Sequence, residues 1–260
     1  MRYNAFPFSL ETGYNTFNVH RFFVEKVNGD TAEITDNVTL HHIRDVLRLK
    51  KGNEVVIFDG VGQEYKGIIN TIDKKQVVLK LSPLNQRRTK NTKLTIACAL
   101  PKGSKMDDII DYLTQLGVER IIPVLSDRVV VKLDESNKEV KSKRWQKIAR
   151  SAAQQSRRSS IPVISPITDI EDVIKDSEGF DLKLITHLSS KRTLIKSVLS
   201  KRKPENIIVL IGPEGDFTPV EISLALHNDF TPVSLGENVL RVATAAIAVT
   251  AWIEFSLNSP

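Results

Sequence analysis

Two glycine loops in the C-terminal third carry the residues best placed to do chemistry. The first lies in IIVLIGPEGDFTPVEI, residues 207–222, where five aliphatic residues run into Gly212-Pro213-Glu214-Gly215. Ligands in α/β folds bind at the carboxyl ends of strands, and glycines there let backbone approach a ligand with no Cβ between. Thr218 suits a helix N-cap, Pro219 the first helical position, and Glu221 completes a capping box. The loop is neither GxxxxGK[ST] nor GxGxxG, and Glu214 and Asp216 would repel a phosphate. A phosphate-free, positively charged ligand fits better; S-adenosylmethionine, with its sulfonium and ammonium groups, is of that kind. By itself the loop fits a structural turn equally well, and a GXXG clamp for RNA is a third reading that Glu214 opposes.

The second loop lies in FTPVSLGENVLRVATAAIA, residues 230–248. A short strand ends at Gly236 and a helix of small residues follows, so two loops at two strand ends can line opposite walls of one pocket. Within that helix Ile247, Ala251 and Phe255 recur at i, i+4 and i+8, with Trp252 adjacent. This spacing suits plain core packing or close contact with another helix, including one from a second copy.

Alternating strands and helices must position these loops. LTIACAL, RIIPVLS, LKLITHL, NIIVLIG and TPVSLG alternate with helical segments after residue 94, which predicts a largely parallel sheet covered by helices. Residues 18–82 instead read as short strands with Asn-Gly, Asp-Gly and Asp-Lys turns and one helix near 40–49. The expected organisation is a lead-in at 1–17, a β-rich domain at 18–82, a polar basic linker at 83–93 and an α/β domain at 94–260.

The 260 residues are 41% hydrophobic, enough for a sizeable core, and carry a net charge of +6, which is compatible with a polyanionic partner. The single cysteine, Cys98, excludes an intrachain disulfide and lies in an apolar run as a buried structural thiol. No apolar run approaches membrane-spanning length, so a soluble cytoplasmic protein is expected. No Cys or third His stands at metal spacing near His41 and His42, so no metal is expected.

Basic residues cluster at helical spacing. On a helix over 141–158, Lys143, Lys147, Arg150, Gln154 and Arg157 form one stripe about 20 Å long, opposite Trp145, Ile148, Ala149 and Ala152. No carboxylate interrupts residues 141–158, which favours RNA contact over a merely solvated face. His41, Arg44 and Arg48 lie at i, i+3 and i+7, and Arg128 and Lys132 could extend the track.

LIGPEG followed by LG-x-x-V-LR-x-x-TAAIA strongly resembles the C-terminal part of the RsmE family, 16S rRNA uridine methyltransferases of the SPOUT superfamily. ALPKGSKMDDIIDYLTQLGVERIIPVLSDRVVVK, RWQKIARSAAQQSRRSSIPVI and HHIRDVLRLKKGNEVVIFDG resemble its upstream segments in the same order, so the likeness covers about residues 18–255. The resemblance implies an N-terminal PUA-like RNA-binding β-barrel and a trefoil-knotted α/β methyltransferase domain. It also implies S-adenosylmethionine as cofactor, N3 of a uridine in small-subunit rRNA as target, and a homodimer. Leu210, Ile211, Gly212, Pro213, Glu214 and Gly215 would form one cofactor wall. Ser234, Leu235, Gly236, Leu240, Arg241 and Thr244 would form another, with His187 and Leu188 at the third knot strand. The PUA-like module would present His41, Arg44, Arg48 and Arg21 to RNA.

Methylating N3 requires loss of the imide proton and stabilisation of negative charge on the flanking carbonyls. Arg241 is the expected charge-stabilising residue and Glu214 the expected proton acceptor. The family usually reads LRTETA where this chain has Leu240-Arg241-Val242-Ala243-Thr244-Ala245, and a second glycine where it has Asp216. A protein that kept the fold as an RNA-binding or ribosome-assembly factor, with catalysis impaired at Val242-Ala243, is the competing expectation.

Overall fold

The computed structural model describes residues 19–84, 92–129, 134–187, 193–199 and 203–258. The expected lead-in at 1–17, most of the expected linker, Lys132 and Leu188 lie outside them. The chain divides into two compact units, Met1–Arg87 and Arg88–Pro260.

The first unit is built on β1 (Arg21–Phe23), β2 (Val27–Asn28), β3 (Thr31–Ile34), β4 (Glu54–Phe58), β5 (Glu64–Ile72) and β6 (Val77–Pro83). They form one sheet in the order β1-β4-β5-β6-β3-β2, with β1 parallel to β4 and the other pairs antiparallel. The alternation read from the sequence buries Phe22, Ile57, Ile69 and Leu79 on one side. Aspartates close the turns: Asp59 Oδ1 accepts from the N–H groups of Val61 and Gln63, and Asp73 Oδ1 from those of Lys75 and Gln76.

The helix expected over 40–49 starts earlier and ends sooner. Asp36 caps α1 (Asn37–His41) by accepting from Thr39 N–H at 2.9 Å, and the chain continues through a π-helical turn at His42–Val46. Arg48 lies beyond it, with φ of 53°.

The second unit holds β7 (Lys93–Ala99), β8 (Arg120–Leu125), β9 (Val163–Ile164), β10 (Thr168–Asp169), β11 (Leu182–Thr186), β12 (Asn206–Ile211) and β13 (Thr231–Val233). Their order is β10-β8-β7-β12-β11-β13, with β9 beside β8, and every pairing is parallel, as the alternation predicts. The two-residue strands β9 and β10 are too short to leave a period in the sequence. Helices α2 (Lys105–Leu116), α3 (Glu135–Gln155), α4 (Ile170–Lys175), α5 (Ile195–Leu199), α6 (Pro219–His227) and α7 (Val242–Leu257) cover it.

The aliphatic run of β12 follows from burial on both faces. Ile207, Val209 and Ile211 enter one core with Leu113 of α2, Trp145 and Ala149 of α3 and Ala246 of α7. Ile208 and Leu210 enter another with Ile174 of α4, Ala225 of α6 and Phe217.

β13 is held on both sides. His187 N–H donates to Val233 C=O at 3.3 Å, and Ser234 N–H donates to Thr193 C=O at 2.9 Å, beside a parallel bridge between Leu194 and Ser234. Among the described residues no helix is long and apolar enough to cross a membrane.

Candidate active site

The carboxyl ends of β11, β12 and β13 meet at one cleft. Its lining includes His187 directly after β11, Ile211 at the end of β12, Gly212, Pro213, Glu214 and Asp216 from the β12–α6 loop, and Ser234, Leu235, Gly236 and Leu240 after β13. Asn238, Val239 and the first turn of α7, through Val242 and Ala245, complete it. Residues of both glycine loops therefore line this one cleft.

The first loop is fixed on both flanks. Thr218 accepts from Glu221 N–H at 3.3 Å while Glu221 Oε2 accepts from Thr218 N–H at 2.7 Å, so the capping box forms with Pro219 at the helix start. Glu221 is buried, and its Oε1 accepts from Asp127 N–H at 2.9 Å, tying α6 to the end of β8. Arg128 donates to the carbonyl of Gly215. Arg128 thus braces the loop, rather than simply extending a basic track on α3.

Asp216 adopts φ of 62°, a left-handed conformation usual for glycine and tolerated best by Asp and Asn among other residues. Its Oδ1 accepts from Phe217 N–H at 2.8 Å, and its Oδ2 lies 2.8 Å from His187 Nδ1. This His187–Asp216 contact spans two strand ends. Separation of the two residues by 29 positions hid it from sequence reasoning; the only sequence signal was an aspartate directly after a glycine loop.

In the second loop Gly236 has φ of 138°, and a Cβ built there would meet open space. Ser234 Oγ donates to Gly236 C=O at 2.8 Å and accepts from its N–H at 3.3 Å, so the loop closes on its own serine. A Cβ at Gly212 would instead lie 3.1 Å from the buried ring of Phe217.

Other expected site residues stand elsewhere. Leu210 is fully buried in the core behind the cleft, while Gly215, Thr244 and Arg241 are exposed and outside its lining. Arg241 is the N-cap residue of α7, between the cleft-lining Leu240 and Val242. Cys98 is wholly buried; desolvation, with the charge of Glu214 adding to it, pushes its thiol up to about 12, which leaves it inert.

The basic residues divide. α3 begins at Glu135 because Asp134 Oδ1 accepts from Asn137 N–H at 2.8 Å, and it ends at Gln155, so Arg157, with φ of 59°, is not on the helical stripe. Lys143 and Lys147 are exposed and, with Val140, Arg144, Ile148 and Ser151, line a shallow groove along α3. Lys143 also pairs with Glu139 at 2.6 Å, one turn before the carboxylate-free stretch.

In the first unit Asp45 accepts from Arg44 at 2.9 Å and contacts His41 Nδ1 at 2.8 Å. The bond from Arg44 and then that from His41 hold the Asp45 carboxyl below the usual carboxylate range. The face expected to be purely basic therefore carries its own counter-charge. Arg21 is buried, 3.0 Å from Glu64 and with its guanidinium 5.2 Å from the Phe58 ring centroid. It is a core ion pair and not an RNA-facing residue.

Residues 88–254 match the family described as RNA methyltransferase domain, and residues 34–82 the family described as RNA methyltransferase PUA domain. The chain is 31% identical to ribosomal RNA small subunit methyltransferase E of Bacillus subtilis over 247 residues, covering 91% of this chain and 96% of the relative. It is 34% identical to the protein of that name from Synechocystis over 239 residues, covering 90% and 76%. Among solved structures it is similar to a ribosomal RNA small subunit methyltransferase E from Neisseria gonorrhoeae bound to S-adenosyl methionine. That likeness has 26% identity and a TM-score of 0.79, and covers 91% of this chain and 97% of the other. A Legionella pneumophila structure in complex with the bound cofactor SAM gives 29% identity and a TM-score of 0.82, covering 91% and 97%.

Proposed function

The chain belongs to the RNA methyltransferase family of ribosomal RNA small subunit methyltransferase E, and on that premise we propose that it transfers a methyl group from S-adenosylmethionine to N3 of a uridine in 16S rRNA. The observation that carries this reading is the cleft where His187, the Gly212–Glu214 turn and Gly236 converge at three parallel strand ends.

The cleft suits this cofactor on its own chemistry. Ile211, Val233, Leu235, Leu240, Val242 and Ala245 offer an apolar wall for an adenine ring. Glu214 and Asp216 offer negative charge to a cationic ligand, and Gly236 leaves open the space a side chain would take. When bound, S-adenosylmethionine supplies an electrophilic methyl group on a sulfonium sulfur that leaves as a neutral thioether. The protein's own residues bind that ligand, hold the uracil ring in line and exclude water. Arg241, exposed beside the cleft-lining Leu240 and Val242, offers a permanent cation to the carbonyls flanking N3.

Three further readings belong with this function. The end of β13 is bonded to His187 through Val233 and to Thr193 through Ser234, contacts compatible with the trefoil-type threading that the family resemblance implies. Lys143 and Lys147 on the α3 groove, with the PUA unit, would hold the rRNA backbone. The outer face of α7 would join two copies into a homodimer, which would work in the cytoplasm, where small ribosomal subunits are found.

The test is transfer of labelled methyl from S-adenosylmethionine to naked 16S rRNA and to assembled small subunits, with the product nucleoside mapped. N3-methyluridine at one position is expected. Cofactor binding with no transfer to either substrate would make the protein an RNA-binding factor.

A further inference from the structure

The methyl-transfer reading leaves one proton without a destination, that of the uracil N3–H, and the cleft contains a pair of residues built to take it. The titratable residues among its lining are His187, Glu214 and Asp216. Glu214 is exposed, and a carboxylate is a weak base toward an imide. Imidazole is the side chain whose ordinary titration lies nearest neutrality, where a base works best.

Asp216 settles which nitrogen of His187 is available. An ionised carboxylate only accepts, so the 2.8 Å contact between Asp216 Oδ2 and His187 Nδ1 is satisfied when the imidazole proton is on Nδ1. The Nε2 lone pair is then free of a proton. Asp216 is itself held in place, with φ of 62° and its other oxygen accepting from Phe217 N–H at 2.8 Å. Both side chains are 21% exposed, sheltered enough for the contact to persist and open enough to be reached from the cleft. An aspartate orienting a histidine through Nδ1 is the arrangement by which imidazole serves as a base in Ser-His-Asp triads.

We propose that His187 removes the N3 proton of the target uracil and that Asp216 is its positioning residue. This rests on the methyltransferase reading above. The N3–H bond breaks and its proton passes to Nε2. The electron pair left on N3 forms the new bond to the methyl carbon, while the old carbon–sulfur pair stays on sulfur. The imidazolium, paired with Asp216, returns its proton to water after the product leaves. The charged groups that share the cleft lining with His187 are the carboxylates of Asp216, in contact with it, and Glu214; the lining residues from the loop after β13 and from α7 carry no charge.

Two measurements test this. The first is 15N NMR of the imidazoles in the cofactor-free protein, assigned with His187→Gln. The Nδ1–H tautomer is expected in the wild type, shifting toward Nε2–H in Asp216→Asn, whose amide can donate to Nδ1. A wild-type proton on Nε2 would overturn the proposal.

The second is single-turnover methyl transfer at saturating cofactor and RNA, with calorimetric cofactor affinity alongside. His187→Gln should be slower by about 100–10,000-fold while binding cofactor nearly as well, and imidazole should partly restore His187→Ala. Asp216→Asn should be slower than Asp216→Gly, because a wrongly protonated base is worse than an unanchored one. A His187→Gln protein that turns over at the wild-type saturating rate, or that loses only cofactor affinity, would show a binding role instead. A wild type silent on both RNA substrates would overturn the function itself and this role with it.

Discussion

At the residue scale the two cleft glycines differ in what they leave room for, and this decides which is the better probe. Gly212 has its would-be Cβ 3.1 Å from Phe217, a residue of the core, so a side chain there disturbs packing before it meets any ligand. Gly236 faces open space at φ of 138°, so a side chain there acts only through backbone strain and the cleft. Strain of this kind is worth about 1–3 kcal/mol, and about 1.4 kcal/mol is tenfold in affinity. Gly236→Ala should therefore lower the urea midpoint of the C-terminal unit by that strain, and the Cβ it places in the cleft should weaken S-adenosylmethionine binding by about tenfold. Wild-type affinity by calorimetry would remove the second loop from the cofactor site. Residues of this kind were only half legible in the sequence. Thr218, Pro219 and Glu221 announced their capping box because a cap is a local pattern. The partner of Asp216 and the braces from Asp127 and Arg128 were hidden, because they join residues 29, 94 and 87 positions apart.

At the scale of elements, α3 shows what helical periodicity can and cannot reveal. Its apolar face was legible in Trp145, Ala149 and Ala152, which are buried, whereas Ile148, expected with them, is half-buried and lines the groove beside Lys143 and Lys147. Its ends were not, because they depend on Asp134 capping the start and on Arg157 turning left-handed past the finish. The middle of α3, where Lys143 and Lys147 line the groove, is accordingly the part to test for RNA contact. Lys143→Glu with Lys147→Glu should weaken binding to small-subunit rRNA and flatten its salt dependence, by about 0.7–0.9 in log–log slope for each phosphate that the helix no longer neutralises. The cleft of β11, β12 and β13 is untouched by these changes, so cofactor affinity should hold. An unchanged slope would reduce the stripe to a solvated face.

At the scale of the whole molecule, α7 has a buried face and, among the described residues of its own unit, an exposed one. Ala246, Val249, Thr250 and Ile253 are buried against the sheet. On the other side Trp252 is 48% and Phe255 69% exposed, with Ile247 and Ala251 half-buried beside them. Plain core packing explains the first set and fails for the second. Large aromatics on a stripe of small residues make a flat surface that another helix can approach closely, and a second copy would present the same surface in return. In a twofold interface each substitution enters twice, and one of these aromatics at its centre is worth about 2 kcal/mol or more. Phe255→Glu places two like charges in that interface, so it should raise the dimer dissociation constant by at least about 100-fold. Sedimentation velocity at micromolar protein should show a wild-type dimer and a Phe255→Glu monomer with unchanged far-UV circular dichroism. The same helix lines the cleft through Val242 and Ala245, so cofactor affinity measured on the monomeric variant reads whether pairing also steadies the site. A wild type that sediments as a monomer at tens of micromolar would leave this aromatic face to some other partner.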